Sequence, residues 1–247
     1  MSRVFECGCG AIVSGADIDS LVSPVTAHFE ETHPELGITK IAVRNYLEAE
    51  DRLVGPTERL ESIGSIEIRA IGPETLDDIL AFFDTEAYAG NPAWGSCYCM
   101  FFPVGGHEAE DIWGNRTASE NRRGQAARIE AGSTTGVLAY VDGKLAGFCN
   151  ATARSEFPGF ATGNDDQHVG SIVCFTISPP YREHGVAAHL LDGAISYLFS
   201  SGFTRIEGYP LAESPDRQRA FRGSLDLFRS RGFEVVTDDP LVVAFQA

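Results

Sequence analysis

The sequence of 247 residues contains no apolar run near the roughly 18 residues that a membrane-spanning helix needs. Its first residues, MSRVFECGCG, also lack the apolar core of a secretory signal. Basic residues are few, with 19 Lys and Arg against 35 Asp and Glu, so the net charge is −16. We therefore expect a cytoplasmic protein that binds neither membranes nor nucleic acid, because nucleic-acid binding depends on Lys and Arg neutralising phosphates.

Cysteine is scarce too, with six residues in the chain. They stand as two close pairs and two single residues, namely Cys7 with Cys9, Cys97 with Cys99, Cys149 and Cys174. In a cytoplasmic chain of this size, cysteines serve as thiols or metal ligands more often than as disulfides.

The apolar pattern is interrupted by Gly, Pro and charged residues in VGPTERLESIG, residues 54–64. We predict a small domain at residues 1–55, a linker at 56–64 and a larger domain at 65–247. Within the larger domain, periodicity and turn signals predict the following elements: strands at 65–71, 168–178 and 203–210, helices at 73–88, 116–132, 185–201 and 220–231, a hairpin that turns at Asp142-Gly143, and a closing pair of strands. Thr117 and Glu120 have the spacing of a capping box. The order predicts a mixed α/β domain.

The segment YREHGVAAHLL follows a buried-looking strand and two prolines, and it enters a helix on small residues. A helix N-terminus has unpaired N–H groups and favours anions. Gly185 has no side chain to block an approaching phosphate, and Arg182 lies in the same turn. The pattern indicates a pyrophosphate site; the alternative is a tight connection in which Gly185 only absorbs an unusual backbone angle.

The run ISPPYREHGVA, residues 177–187, resembles the acetyl-coenzyme-A motif of the GNAT superfamily of N-acetyltransferases. In that motif a strand ends in Val/Ile-x-Pro, and Arg/Gln-x-x-Gly-x-Gly/Ala then opens a helix. SRGFEVV, after an amphipathic helix, is similar to the last helix and closing strand of the same fold. The resemblance covers about residues 65–247 and implies a mixed, mostly antiparallel central sheet flanked by helices.

The resemblance also implies a cofactor site for acetyl-CoA as co-substrate. The backbone amides that would hold the pyrophosphate are those of Glu183, His184, Gly185, Val186, Ala187 and Ala188, with Arg182 assisting. The residues whose backbone would pair with the pantetheine arm are Val173, Cys174, Phe175, Thr176 and Ile177. The side chains of Cys174 and Thr176 are expected to support packing.

Attack of an amine on a thioester needs a neutral amine, a stabilised thioester oxygen and a leaving thiolate. In many relatives a tyrosine four residues before the Gly-Phe of the last helix protonates the thiolate. Gly232-Phe233 marks that place here, so the matching residue beside the cofactor is Phe228, which donates no proton. Glu207 and His168 are the candidate bases; the alternatives are that Glu207 points to solvent and that His168 is a surface residue.

The segment NPAWGSCYCMFF, residues 91–102, corresponds in this fold to a wall of the acceptor pocket. We expect Trp94, Tyr98, Phe101 and Phe102 to form an aromatic wall, with polar groups from Asn91 and Tyr98. Arg154, at a strand end, is a further candidate for substrate binding. The alternative is a satellite core under a long loop.

Cys7-x-Cys9 and His28-x4-His33 supply two thiolates and two imidazoles, which is a sufficient set for tetrahedral zinc. The alternative is a small packed domain in which the cysteines are hydrophobic residues. Residues 3–53 also resemble a small prokaryotic Cys/His family of unknown function. We expect this segment to form a small α+β domain. Regulation, dimerisation and covering of the acceptor site are the roles left open for this domain.

Together these patterns predict an acetyl-CoA-dependent N-acetyltransferase that transfers an acetyl group by direct attack to a primary amine of a small molecule or peptide. The alternative is a non-catalytic acyl-CoA sensor with an N-terminal interaction domain, since Phe228 replaces the usual tyrosine. A third reading is a metal-dependent interaction module fused to a decayed transferase domain.

Overall fold

A computed structural model of the chain describes residues 2–106, 110–160, 168–211 and 221–246, and no side chain of residues 110–111. Its main feature is a seven-stranded sheet in the order β3-β4-β5-β6-β7-β9-β8. The strands are β3 Ile66–Ala70, β4 Gly136–Val141, β5 Lys144–Ala153, β6 Val169–Ile177, β7 Arg205–Gly208, β8 Glu234–Asp238 and β9 Leu241–Gln246. Strands β6 and β7 pair in parallel, and the other described pairs are antiparallel.

Helices cover both faces of this sheet. They are α3 Leu76–Thr85, α4 Glu110–Gly114, α5 Ala118–Glu130, α6 Val186–Ser200 and α7 Leu225–Arg229. Helix α6 packs on β3 to β6, while α3 packs on the other face against β5 and α5. Each face has its own buried apolar core. The mixed, mostly antiparallel sheet flanked by helices is thus confirmed.

Local signals in the sequence placed several elements correctly. The Thr117 side chain caps α5, and Glu120 closes the capping box by accepting from the Thr117 amide. Asp142 and Gly143 have φ angles of 50° and 80°, the left-handed pair that a tight two-residue hairpin needs.

The helix predicted at 220–231 is shorter in the structure. Gly223 has a φ of 79°, which interrupts the helix, and Ser224 caps a new start by accepting a hydrogen bond from the Leu227 amide. Helix α7 therefore begins at Leu225, and Ala220 lies outside the described residues.

The N-terminal residues form a β-hairpin of β1 Arg3–Glu6 and β2 Ile12–Gly15, followed by α1 Ile18–Thr32 and α2 Lys40–Arg52. These elements share a separate small core. Throughout the described residues, every helix is too short or too polar to span a bilayer.

Candidate active site

The turn between β6 and α6 has the geometry of an anion site. Glu183 and Gly185 have φ angles of 65° and 79°, so the chain reverses sharply before the helix. Gly185 is the N-cap and provides no side-chain cap; Ala188 and His189 are the residues whose amides donate to its carbonyl. A Cβ at Gly185 would meet nothing closer than His189 Nδ1, at 4.0 Å. The first turn of α6 is therefore open to a ligand.

Side chains of this loop are held away from the helix start. Arg182 Nε donates to the Ile177 carbonyl over 3.0 Å, which places its guanidinium across the turn. The His184 ring bonds the Leu60 carbonyl at 2.9 Å, and Glu183 pairs with Arg59 at 3.2 Å. Two residues of the predicted linker, Arg59 and Leu60, thus hold side chains of the loop from outside. The backbone of the loop faces the open side.

Strands β6 and β7 separate halfway along β6. Their pairing ends at Ile172 with Gly208, whereas β6 continues to Ile177. On its other edge β6 has a bulge, because Asn150 pairs with Cys174 and Ala151 with Ile172, which leaves Val173 without an opposite residue. The second half of β6 therefore presents an edge beside the loop, as the resemblance implied for a pantetheine arm.

A cavity of about 520 Å³ opens on the sheet face that α3 covers. Cys174 of β6 contributes to its wall. Six of its lining residues are aromatic: Tyr88, Trp94, Phe101, Phe102, Trp113 and Phe221. Its size and apolar character are those of a small-molecule site.

Three of the four predicted aromatic residues line this cavity, and Tyr98 does not. Tyr98 and Cys99 both have left-handed φ angles, 46° and 56°, so the chain turns Cys99 into the cavity and Tyr98 away from it. The Tyr98 hydroxyl donates to Asp84 at 2.5 Å, and burial raises its pKa. Tyr98 is therefore a buried core residue, and its hydroxyl group is hydrogen-bonded outside the cavity.

Three thiols meet in the cavity wall, on Cys97, Cys99 and Cys174. Burial raises the pKa of Cys97 to about 11. A hydrogen bond between Cys99 and Cys174 lowers the pKa of Cys174 and raises that of Cys99. Cys97 and Cys99 are thus protonated at neutral pH.

Tyr88 lines the cavity just after α3, and sequence reasoning did not single it out. Burial raises its pKa well above the ordinary value, although a hydrogen bond with Thr176 of β6 opposes the shift. Its phenol also interacts with Cys97. A protonated phenol therefore stands beside the second half of β6. No local pattern in the sequence marks Tyr88, because it lies three residues beyond the end of α3 and reaches the cavity only through the fold.

Glu207 lies in a buried polar network rather than in the cavity wall. Its two carboxylate oxygens pair with Arg154 at 2.9 Å and Arg205 at 2.8 Å. The Tyr209 hydroxyl bonds Ser171 at 2.7 Å and reaches Glu207 at 3.2 Å. The geometry joins two predicted site residues, Glu207 and Arg154, to each other.

His168, a candidate base, and Phe228, assigned to the cofactor site, are both absent from the described lining of the cavity. His168 is exposed and precedes Val169, at the end of β6 opposite the turn that leads into α6. Phe228 is fully buried in the core under α6, where its ring contacts those of Phe175 and Phe233. The place of Phe228 beside the cofactor stays a prediction. The roles of Glu207 and His168 as bases stay predictions too.

The N-terminal region forms part of the cavity wall through α2, with Ala42 and Asn45. The Asn45 amide donates to the Arg116 carbonyl and accepts from the Ala118 amide, both at 2.9 Å. Further along α2, Arg52 donates to the Phe83 carbonyl at 2.8 Å and the Gly95 carbonyl at 2.6 Å. Helix α2 is therefore fastened to the larger domain.

The four predicted metal ligands converge at the end of the first hairpin. The ligand atoms of Cys7, Cys9, His28 and His33 all lie within 4.8 Å of one another, and no other such group occurs in the described ranges. Cys7 Sγ lies 3.5 Å from His33 Nε2, and Cys9 Sγ lies 3.5 Å from His28 Nε2. Tetrahedral zinc with ordinary bond lengths separates a sulfur and a nitrogen ligand by about 3.5 Å. The donor set therefore fits zinc.

Comparison with known proteins agrees with this geometry. The sequence matches the acetyltransferase (GNAT) family over residues 105–233, more than half of the chain, so the protein belongs to that family. It is therefore an acyltransferase, and membership supports acetyl transfer from acetyl-CoA to an amine. No curated protein matches the chain.

Solved structures with a similar fold come from several organisms. A GNAT-family acetyltransferase from Streptococcus pneumoniae is 20% identical, with a TM-score of 0.43 over 74% of this chain and 100% of that chain. The PaiA N-acetyltransferase from Thermoplasma acidophilum, in complex with coenzyme A, is 16% identical, with a TM-score of 0.44 over 74% and 99%. YncA from Salmonella typhimurium, with acetyl-CoA, is 12% identical, with a TM-score of 0.44 over 74% and 94%.

Proposed function

We propose that this protein is an acetyl-CoA-dependent N-acetyltransferase whose acceptor is a primary amine of a small molecule or peptide. The observation that carries the proposal is the separation of β6 from β7. The second half of β6 then runs between the aromatic cavity and the start of α6, which has no side-chain cap. The pyrophosphate rests on the amides at the start of α6, and the pantetheine arm pairs with residues 173–177. The acetyl group then lies where β6 borders the cavity.

In the proposed reaction the amine attacks the thioester directly. The backbone N–H at the Val173 bulge, which has no opposite residue on β5, is our candidate to stabilise the oxygen as it gains charge. Tyr88 is the proposed donor to the leaving thiolate, because Phe228 has no proton to give and the Tyr88 phenol faces the cavity. A proton donor at Tyr88 would replace the tyrosine that Phe228 lacks, and this favours an enzyme over a non-catalytic sensor.

Calorimetric titration with acetyl-CoA, CoA and desulfo-CoA tests the cofactor site. We expect saturable micromolar binding of all three, since they share the phosphates and the pantetheine arm that the proposed site would hold. Turnover is then followed as thiol release with a broad panel of primary amines. Binding without turnover of any amine would support the sensor; no binding to the folded protein would overturn both readings.

We also propose that Cys7, Cys9, His28 and His33 hold one Zn²⁺ with a structural role, because four protein ligands leave no open position for catalysis. The ion would tie the first hairpin to the end of α1. Elemental analysis of protein purified without chelators should give one zinc per chain, falling to near zero in Cys9→Ser. Wild-type protein that stays metal-free after incubation with zinc would contradict the proposal.

A further inference from the structure

One arginine of the cavity keeps part of its hydrogen-bonding capacity unused. Arg222 lines the cavity, and its Nε is buried without a hydrogen-bond partner in the described part of the chain. The other cavity arginine, Arg116, differs, since its Nε donates to Asn121 Oδ1 at 2.6 Å. A buried donor without an acceptor is costly, so an arginine with an unpaired Nε–H in a ligand cavity points to an anionic group of the ligand.

The surroundings of Arg222 fix its position. The preceding residue, Phe221, packs edge-on against Trp94 with ring centroids 5.0 Å apart. The guanidinium carbon lies 6.0 Å from the Phe102 ring centre and 5.9 Å from that of Phe160. Burial lowers the pKa of Arg222, which reflects the poor solvation of its charge. In such an apolar setting a paired carboxylate is bound more strongly than in water.

We infer that the acceptor is an amine that also carries a carboxylate, in the manner of an amino acid with an aromatic or large apolar side chain. Its carboxylate pairs with Arg222, its side chain packs on the aromatic wall, and its amine reaches β6 beside Cys174. The inference rests on the proposed N-acetyltransferase function. Among the described lining residues there is no carboxylate.

The phosphates of coenzyme A are a different anion from the one that Arg222 would bind. The loop that would hold them begins α6, which packs on the sheet face opposite the cavity. No residue of that loop lines the cavity within the described ranges. The anion at Arg222 therefore belongs to the acceptor.

The test compares three acceptors that differ in the group beside the amine: L-phenylalanine, L-phenylalaninamide and phenethylamine. Steady-state rates are measured at saturating acetyl-CoA with wild type, Arg222→Met and Arg222→Lys. We expect wild type to favour phenylalanine by about 10- to 100-fold in kcat/KM, the range for a hydrogen bond to a charged group. Arg222→Met should abolish this preference through KM, Arg222→Lys should restore part of it, and acetyl-CoA affinity should stay constant.

Equal use of the three amines by wild type, or an unchanged preference in Arg222→Met, would overturn the inference. If none of the three is turned over, calorimetry of CoA-bound protein with N-acetyl-L-phenylalanine and its amide decides, and equal affinities reject it. Failure of the proposed function looks different: acetyl-CoA does not bind, or no amine of any kind is acetylated.

Discussion

The proposed phosphate loop, residues 182–188, and the proposed acceptor cavity are built in opposite ways. The loop comes from one short run at the junction of β6 and α6, and it presents backbone. The cavity is assembled from α2, the aromatic segment, β6 and residues near 221, and it presents side chains. Backbone amides recognise any phosphate, whereas the side chains decide which amine fits. Changes in the loop should therefore affect every acceptor alike, and changes in the cavity should discriminate among them.

The largest effect is expected from Gly185→Asp in the phosphate loop. Its carboxylate would occupy the place of the phosphates, so we expect acetyl-CoA affinity to fall by about 100-fold or more, roughly 3 kcal/mol. Calorimetry with acetyl-CoA measures the loss.

Gly185→Ala is the matched control, because a Cβ there has open space and only the backbone angle is strained. It should cost about 1 kcal/mol of folding stability and far less affinity than the aspartate. Equal affinities for the folded Asp variant and wild type would show that the phosphates bind elsewhere.

The contrast between a loop built from one run of residues and a cavity built from several elements explains what the sequence could predict. The loop, the capping box and the hairpin turn depend on neighbours along the chain, so their patterns were readable. The cavity depends on residues brought together by the fold, and neither Tyr88 nor Arg222 has a local signal of function. Tyr98 was assigned to the wall because nothing in an aromatic run reveals a left-handed turn that reverses its direction.

Glu207→Gln tests whether the buried network serves the fold or the chemistry. The change leaves Arg154 and Arg205 without their shared carboxylate, and we expect a loss of about 3 kcal/mol in the free energy of unfolding. Denaturant titration measures it. Glu67→Gln, which disrupts the exposed pair with Arg69, is the control and should have no measurable effect. A large fall in kcat with unchanged stability would instead identify Glu207 as the base.

Tyr88→Phe removes the proposed proton donor from the cavity. We expect kcat to fall by about 100-fold, the lower end of the range for loss of a general acid, while acetyl-CoA affinity is unchanged. The control is Tyr98→Phe, which loses a phenol of the core and should lower stability rather than kcat. If the two variants have the same kcat as wild type, the thiolate leaves without help from Tyr88.

The smallest expected effect concerns the N-terminal wall of the cavity. Asn45 holds α2 against the larger domain through two hydrogen bonds, so Asn45→Ala should loosen this wall without touching the phosphate loop. We expect the KM for the amine to rise roughly fivefold, about 1 kcal/mol, at unchanged acetyl-CoA affinity. Arg44→Ala, on the same helix but paired with the exposed Asp19, is the control and should leave KM unchanged. If KM rises in Asn45→Ala and not in Arg44→Ala, the N-terminal domain is part of the acceptor site, because α2 contributes Ala42 and Asn45 to the cavity wall. Equal KM values for both variants would leave that domain with a stabilising role.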